Sequence, residues 1–449
     1  MGSALLKKLN NSLPDWIKAA GAPVIRRKLT GSCAFRNQYE LLRQLDGMTP
    51  AEREEYQAGQ LRETLIHAYE HTKYYHDLFD ECGLNPYSFE DAGELTKLPL
   101  MTKEIIREQF DALSADDVAD YYTGETGGST GSVTKILLAG ESIYREKAFI
   151  YHFWSKYGYD WKSSRTATFR GVEFNGKISR LNPLYNEILL NPITISSSNI
   201  DEYVKKINSY GAEFIHGYPS AIANFCALLE GNGLTLKKKI KAAFCISEAL
   251  TDLQREIIER VLECPAAAFY GHTERSVFAE MAGDGITYSF NPAYGYTEII
   301  EHGDGNIVCT GFINRKFPLI RYAVDDSAIE AKPGVFAIEG HHSDAALLGR
   351  NGEKITQTAL NFHNDTFSCT AGYQLVQNTA GEAVCNVKSA GKLTEHELEK
   401  IRKALDDKTG DSIQWSVRQV EDFEYTKKGK FRILISNIDK QEKQQRDTQ

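Results

Sequence analysis

The sequence predicts an α/β protein. A large N-terminal domain of α/β sheets carries a β-rich, barrel-like subdomain, and a small α+β domain follows. Three observations carry this. Between Ala167 and Gly271, short apolar runs alternate with amphipathic ones, as strands alternate with helices around a largely parallel sheet. After Gly271 the texture changes to short strands divided by Gly and Asp turns. After Asp344 a single charged helix stands between strand-like segments. The domains therefore read as 1–343 and 344–440, with 441–449 a polar tail expected to be disordered.

Each element follows from its own stretch. Residues 38–82, rich in Glu, Arg, Leu and Tyr, read as helix, and Pro99 with Thr102 introduces another from about Lys103. KILLAG (135–140) reads as a strand. In ESIYREKAFIYHFWSKYG (141–158), Ile143, Phe149, Ile150, Phe153 and Trp154 fall at mixed three- and four-residue spacings, as on a helix. TATF and ITIS are apolar runs, followed by the helix DEYVKKINSYG. AEFIHGY is a strand, and SAIANFCALLEGNG a helix ended by glycine. KAAFCIS, TDLQREIIERVL and AAAFYG continue as strand, helix and strand. ITYSF, GYTEII, GNIVCTGF and GVFAIEG supply the β-rich part, and HELEKIRKALDDKTG the terminal helix. There is no internal repeat.

Composition narrows the class. The 449 residues suffice for two or three domains, and 42% hydrophobic with 25% charged residues is ordinary for a globular protein. A net charge of -9 disfavours broad binding to nucleic acid or anionic membranes, and Lys237, Lys238 and Lys239 read as a solvated turn. The eight cysteines are scattered without a C-x-x-C pair, so neither a zinc ribbon nor a disulfide framework is expected. With no signal peptide and no apolar run long enough to cross a bilayer, the cytoplasm is the expected location.

Five short segments collect chemistry. TGETGGSTGSVTK (123–135) is not a Walker A loop, because Ser132 follows Gly131 and the lysine comes only at Lys135. It still has glycines that let backbone N–H groups converge on an anion, and the hydroxyls of Ser129 and Thr130. Its composition alone suits a linker, but a strand and a helix follow directly. YGHTE (270–274) follows an apolar strand, at whose carboxyl end α/β sheets bind ligands. PLIRYAVDD (318–326) offers acidic groups for hydroxyls, or simply an acidic turn. GHHSD (340–344) reads as a hinge rather than a metal site. KKGKFRILIS (427–436) sets a lysine between a glycine and a strand, as a mobile cation or a solvated hairpin.

In this order the segments resemble the acyl-adenylate-forming superfamily of acyl-CoA synthetases, adenylation domains and luciferases. The resemblance runs from about Leu61 to Ser436 and is strongest to the phenylacetate–CoA ligase-like branch, with its relatives in capsule and O-antigen gene clusters. TGGSTG (126–131), HGYPS, FCISEAL (244–250), YGHTE, GFINRKFPLIRY and GKFR carry it. The resemblance implies ATP and Mg²⁺ as cofactors, a small carboxylic acid as substrate, and coenzyme A or an amine as acceptor. With the charge and hydropathy above, neither nucleic acid nor an integral membrane segment is expected as partner. The nucleotide would be held by Thr126, Gly128, Ser129, Thr130, Gly131, Ser247, Glu248, Ala249, Tyr270, Gly271, Asp326 and His341. Thr273, Glu274 and Lys430 would be catalytic, with Glu274 on the metal, and Asp344 would be the hinge. Phe169, Arg170, His216, Tyr218, Phe244, Arg275 and Phe278 would line the acid pocket, each equally readable as core or as an ion pair. The chain departs from the pattern at Gly127, Val324, Asp325 and His341, which keeps open a nucleotide-binding scaffold without turnover. No cysteine lies between YGHTE and Cys309, so no zinc is expected there.

Overall fold

The computed structural model describes residues 15–126, 134–300, 307–339, 346–424 and 433–438, apart from single positions 173, 175, 325, 357, 358, 361, 363, 364, 368, 371 and 390. The N-terminal part is helical: α1 (Asp15–Thr30), α2 (Cys33–Asp46), α3 (Pro50–His71), α4 (Lys73–Cys82) and α5 (Lys103–Glu108). The stretch 38–82 is thus broken twice, and both breaks have local causes. Thr49 and Pro50 restart the chain with a capping box, the Thr49 hydroxyl accepting from the Glu52 N–H and the Glu52 carboxylate from the Thr49 N–H. Thr72 leaves α3 in an extended conformation and caps α4 by accepting from the Tyr75 N–H.

The antiparallel hairpin β1 (Tyr121–Thr126) and β2 (Thr134–Ala139) flanks positions 127–133, and α6 (Ser142–Ser155) follows. The main sheet begins with β3 (Thr166–Phe169), β4 (Ser179–Asn182) and β5 (Glu187–Leu190). It continues with β6 (Phe214–Gly217), β7 (Ala242–Cys245), β8 (Ala266–Gly271), β9 (Phe278–Met281) and β10 (Tyr288–Phe290). Helices α7 (Ile200–Tyr210), α8 (Pro219–Gly231) and α9 (Asp252–Leu262) connect β5 to β6, β6 to β7 and β7 to β8. Strands β3, β5 and β7 are buried along their whole length and β6 at every position but His216, as parallel strands covered on both faces must be.

One expected strand is absent. The ITIS run, 193–196, forms bends, and EILL makes β5 instead. Asparagine side chains explain this. Asn191 accepts from the Ile193 N–H and Asn199 from the Ser196 N–H, so two ladder donors are already taken.

The β-rich stretch divides rather than closing into one barrel. β11 (Gly295–Ile299), β12 (Ile307–Gly311) and β13 (Tyr322–Ala323) form a three-stranded sheet. β14 (Ser327–Lys332) and β15 (Val335–Glu339) extend the main sheet through β10 and β9, giving ten strands in the order β14-β15-β10-β9-β8-β7-β6-β3-β5-β4. The smaller α+β domain holds the hairpin β16 (Ala346–Leu348) and β17 (Lys354–Thr356). It adds β18 (Gly372–Thr379), β19 (Glu382–Lys388), α10 (Glu395–Thr409), β20 (Gln414–Gln419) and β21 (Leu434–Ser436), sheet order β20-β19-β18-β21. One buried cluster runs from the main sheet into this domain, and a second packs α3, α4 and β2 against β12. No helix among the described residues is long and apolar enough to cross a membrane.

The topology marks a ligand crevice. β3 pairs with β5 on one side, and the chain then passes back over β3 to pair as β6 on the other. This reversal of strand order is where open α/β sheets bind ligands, beyond the carboxyl ends of the strands. Phe169 registers with Gly217 and Gly217 with Cys245, so the segments starting at Arg170, Tyr218 and Ile246 leave the same sheet edge.

Candidate active site

The YGHTE segment leaves the sheet edge at the end of β8. Glu274 is only 7% exposed, yet its carboxylate stays charged. Burial raises its pKa, but His272 and then Lys103 outweigh that and bring it down to about 2. The Tyr322 hydroxyl donates to Glu274 Oε1 at 3.0 Å. His272 Nδ1 stands 3.1 Å from Oε2, close enough for charge attraction but off the line of a hydrogen bond. A buried, ionised carboxylate of this kind suits a hard divalent cation such as Mg²⁺, which takes oxygen ligands.

Tyr270 connects this segment to the acidic turn. Its hydroxyl donates to Asp326 Oδ2 at 2.7 Å, and burial together with Asp326 pushes the phenol well above its ordinary range. Asp326 is therefore held at the crevice by a neutral donor. Val324 is buried, its N–H donating to the Ile307 carbonyl, so it acts in packing β13 rather than facing solvent.

After β7, Ser247 adopts a left-handed backbone, φ 68°, uncommon for a residue with a side chain. Ser247 and Ala249 are exposed at the sheet edge. Between them Glu248 is engaged on both oxygens: Oε2 accepts from the Ser220 N–H at 3.2 Å and Oε1 from the Thr356 hydroxyl at 2.6 Å. It ties three segments together, including the small domain.

The residues expected to line an acid pocket fall into two groups. Phe169, Phe244 and Phe278 are core. Phe244 stacks face to face on Trp154 with centroids 4.4 Å apart, Phe169 packs on Phe225, and Phe278 lies among Phe149, Phe269 and Tyr294. The polar members stand nearer the crevice. Arg170 is exposed just beyond β3, and Tyr218 is nearly buried just beyond β6. His216 Nδ1 donates to the Phe244 carbonyl at 2.9 Å, and burial, with Lys147 adding to it, brings its pKa down to about 3, so the ring is neutral. Arg275, in a left-handed turn at φ 56°, reaches α6, where its Nε lies 2.9 Å from Glu146 and its Nη1 donates to Ser142.

Three contributors lacked a signal strong enough to single them out: Tyr322, His272 and Lys147. Tyr322 is 48 residues from Glu274 in sequence. Lys147 is a lone cation in the otherwise apolar run KAFIYHFW, which is the clue available for it. Thr126 ends β1, Gly271 ends β8, and Thr273 is half-buried beside Glu274. Gly128, Ser129, Thr130, Gly131, His341, Asp344 and Lys430 lie outside the described residues, as do Gly127 and Asp325.

The CapK C-terminal domain family matches residues 347–437. Over 369 residues the chain is 24% identical to protein CapK of Staphylococcus aureus, covering 77% of this chain and 81% of that protein. It is also 24% identical over 328 residues to phenylacetate-coenzyme A ligase of Escherichia coli K12, covering 63% and 69%. The structure superposes on 2-hydroxyisobutyryl-CoA ligase, solved with 2-HIB-AMP and CoA in the thioesterification state, at a TM-score of 0.51 and 16% identity, over 90% of this chain and 94% of that one. The chain has the acyl-adenylate-forming fold. Within it, the chain is related to the phenylacetate–CoA ligase and CapK-type proteins. The two-domain division of this fold is the division observed here, with the CapK-type match falling on the small α+β domain.

Proposed function

We propose that this protein is an ATP-dependent acid ligase. It joins a carboxylic acid to AMP with release of pyrophosphate, then passes the acyl group to coenzyme A or to an amine. The observation that carries this is the buried, ionised Glu274 beside a tyrosine-held Asp326 at the open edge of the sheet. Activation of a carboxylate by ATP needs charge neutralisation and alignment more than covalent help from the protein.

In this reading Asp326 accepts the ribose hydroxyls, and Tyr270 fixes its rotamer. Ser247, Glu248 and Ala249 border the adenine, with Glu248 acting through the backbone it anchors. Thr126, Gly128, Ser129, Thr130 and Gly131 hold the outer phosphates, Thr273 meets the α-phosphate, and Glu274 holds Mg²⁺, which neutralises triphosphate charge when bound. His341 borders the ribose. Lys430, on the small domain, bridges acid and α-phosphate, and the domain turns about Asp344 between the two steps. The resemblance to proteins of capsule and O-antigen gene clusters suggests an amine on a sugar as one acceptor, and the need for ATP suggests the cytoplasm.

The test is acid-dependent pyrophosphate release over a panel of carboxylic acids, repeated with coenzyme A and with amines. Release that requires an acid supports the ligase. ATP binding with no release for any acid, at any acceptor, would leave a nucleotide-binding scaffold instead.

A further inference from the structure

Near the crevice stands a cation that has no ion pair among the described residues. Lys147, on α6, places its Nζ 4.4 Å from the Tyr185 ring centroid and 5.6 Å from that of Tyr151. Among the described residues its ammonium makes no hydrogen bond and no ion pair, and the same holds for the Arg170 guanidinium at the rim. The nearby carboxylates are taken. Glu146 pairs with Arg275 at 2.9 Å, and buried Glu187 accepts from the Thr168 hydroxyl at 2.6 Å and the Asn182 amide at 2.7 Å. Among the described residues, Glu187, Arg170, Glu146 and Arg275 act most strongly on Lys147. Of the carboxylates that act on Lys147, Glu146 is matched by Arg275, which leaves Glu187 facing both Lys147 and the exposed Arg170. Burial lowers the Lys147 pKa, Arg170 and Arg275 add to this, and the two glutamates only oppose it. A partly buried ammonium without an ion pair is costly, and a ligand of opposite sign offsets the cost.

The apolar alternative has little surface to offer, because Phe169, Phe244 and Phe278 are packed into the core. We propose that the acid taken at this site carries a second carboxylate, held by Lys147 inside the crevice with Arg170 at its rim. The inference rests on the acid-ligase reading and names its substrate class as a dicarboxylic acid rather than a fatty or arylacetic one. Tyr185, whose ring lies 4.4 Å from the ammonium, fixes its position.

Matched acids test this: succinate against butyrate and glutarate against valerate, with phenylacetate alongside, each read by pyrophosphate release. The dicarboxylate of each pair should be favoured in kcat/KM by roughly tenfold to a hundredfold, the worth of one charge-assisted contact. Lys147→Met should pull that ratio toward one, Lys147→Arg should restore part of it, and Arg170→Gln, at an exposed position that cannot threaten folding, should lower it less. A preference for monocarboxylates in the wild type, or a ratio unmoved in Lys147→Met and Arg170→Gln alike, overturns the inference and leaves the ligase reading intact. Calorimetric binding of glutarate and valerate separates the two ideas. If no acid releases pyrophosphate but glutarate alone binds, and Lys147→Met abolishes it, the ligase reading fails and the anion pocket stands. If no acid releases pyrophosphate and glutarate binds no better than valerate, both fall.

Discussion

Glu274 combines two properties that rarely coexist without function: it is almost fully buried and it is ionised. Glu274→Gln keeps the shape and still accepts from Tyr322, but it removes the charge. Pyrophosphate release should fall by on the order of a hundred- to a thousand-fold, while the urea midpoint moves little. Unchanged release at limiting Mg²⁺ would remove Glu274 from the site. His216 gives a prediction in pH. Its folded pKa, about 3, lies below its ordinary value of 6.5, so the unfolded chain binds a proton that the folded one refuses. That stability is whole above 6.5 and is lost as pH falls from 6.5 toward 3, by at most about 5 kcal/mol. His216→Gln, which can still donate to the Phe244 carbonyl, should flatten this acid limb in urea unfolding at pH 4 and pH 7. Equal slopes in the two proteins would mean that His216 is not buried neutral. At this scale the sequence offered Glu274 and Asp326 as candidate groups. It hid how they are held, because the Tyr322–Glu274 and Tyr270–Asp326 contacts join segments that only the fold brings together.

The parallel strands were legible because each is a short apolar run bounded by an amphipathic helix, and burial on both faces leaves no other choice of residue. ITIS was misleading for the complementary reason. Its apolar pattern is that of a strand, but Asn191 and Asn199 offer its backbone better partners than a neighbouring strand. The crevice itself depends on one glycine. Gly217, the last residue of β6, has φ 148°, and a Cβ there would lie 2.3 Å from the Phe169 carbonyl oxygen on β3. No side chain can yield at that contact, since the obstacle is backbone. Gly217→Ala should therefore force β3 and β6 apart where Arg170 and Tyr218 begin, costing roughly 2–4 kcal/mol in stability. It should also raise KM for the acid more than it raises KM for ATP. A stable variant with unchanged kinetics would show that the sheet edge at this point does not shape the acid site.

The two domains meet close to the same crevice. Lys408, on α10 of the small domain and only 7% exposed, donates to the carbonyls of Gly171 and Ala359, each at 3.2 Å. Gly171 follows Arg170 directly, and a Cβ on it would lie 2.4 Å from the Ala359 oxygen. Thr356 adds a second tie by donating to Glu248. An enzyme that uses one domain arrangement to form the adenylate and another to transfer the acyl group must break such ties between steps, whichever step this arrangement serves. Two substitutions loosen the same contact by unrelated means. Lys408→Met deletes the donor and leaves two carbonyls unsatisfied, at a cost of about 1–3 kcal/mol. Gly171→Ala keeps the lysine and pushes Ala359 away. Each half-reaction can be read separately, by pyrophosphate exchange and by single-turnover transfer from a synthetic acyl-adenylate. Both variants should depress the same half-reaction, roughly fivefold or more relative to the other, because they destabilise the same arrangement. Lys430→Ala should depress adenylate formation alone, since in the proposed reaction its charge is needed only while the carboxylate meets the α-phosphate. If Lys408→Met and Gly171→Ala slowed both half-reactions equally, this contact would be ordinary packing. If they moved opposite half-reactions, two arrangements would not suffice to describe the cycle.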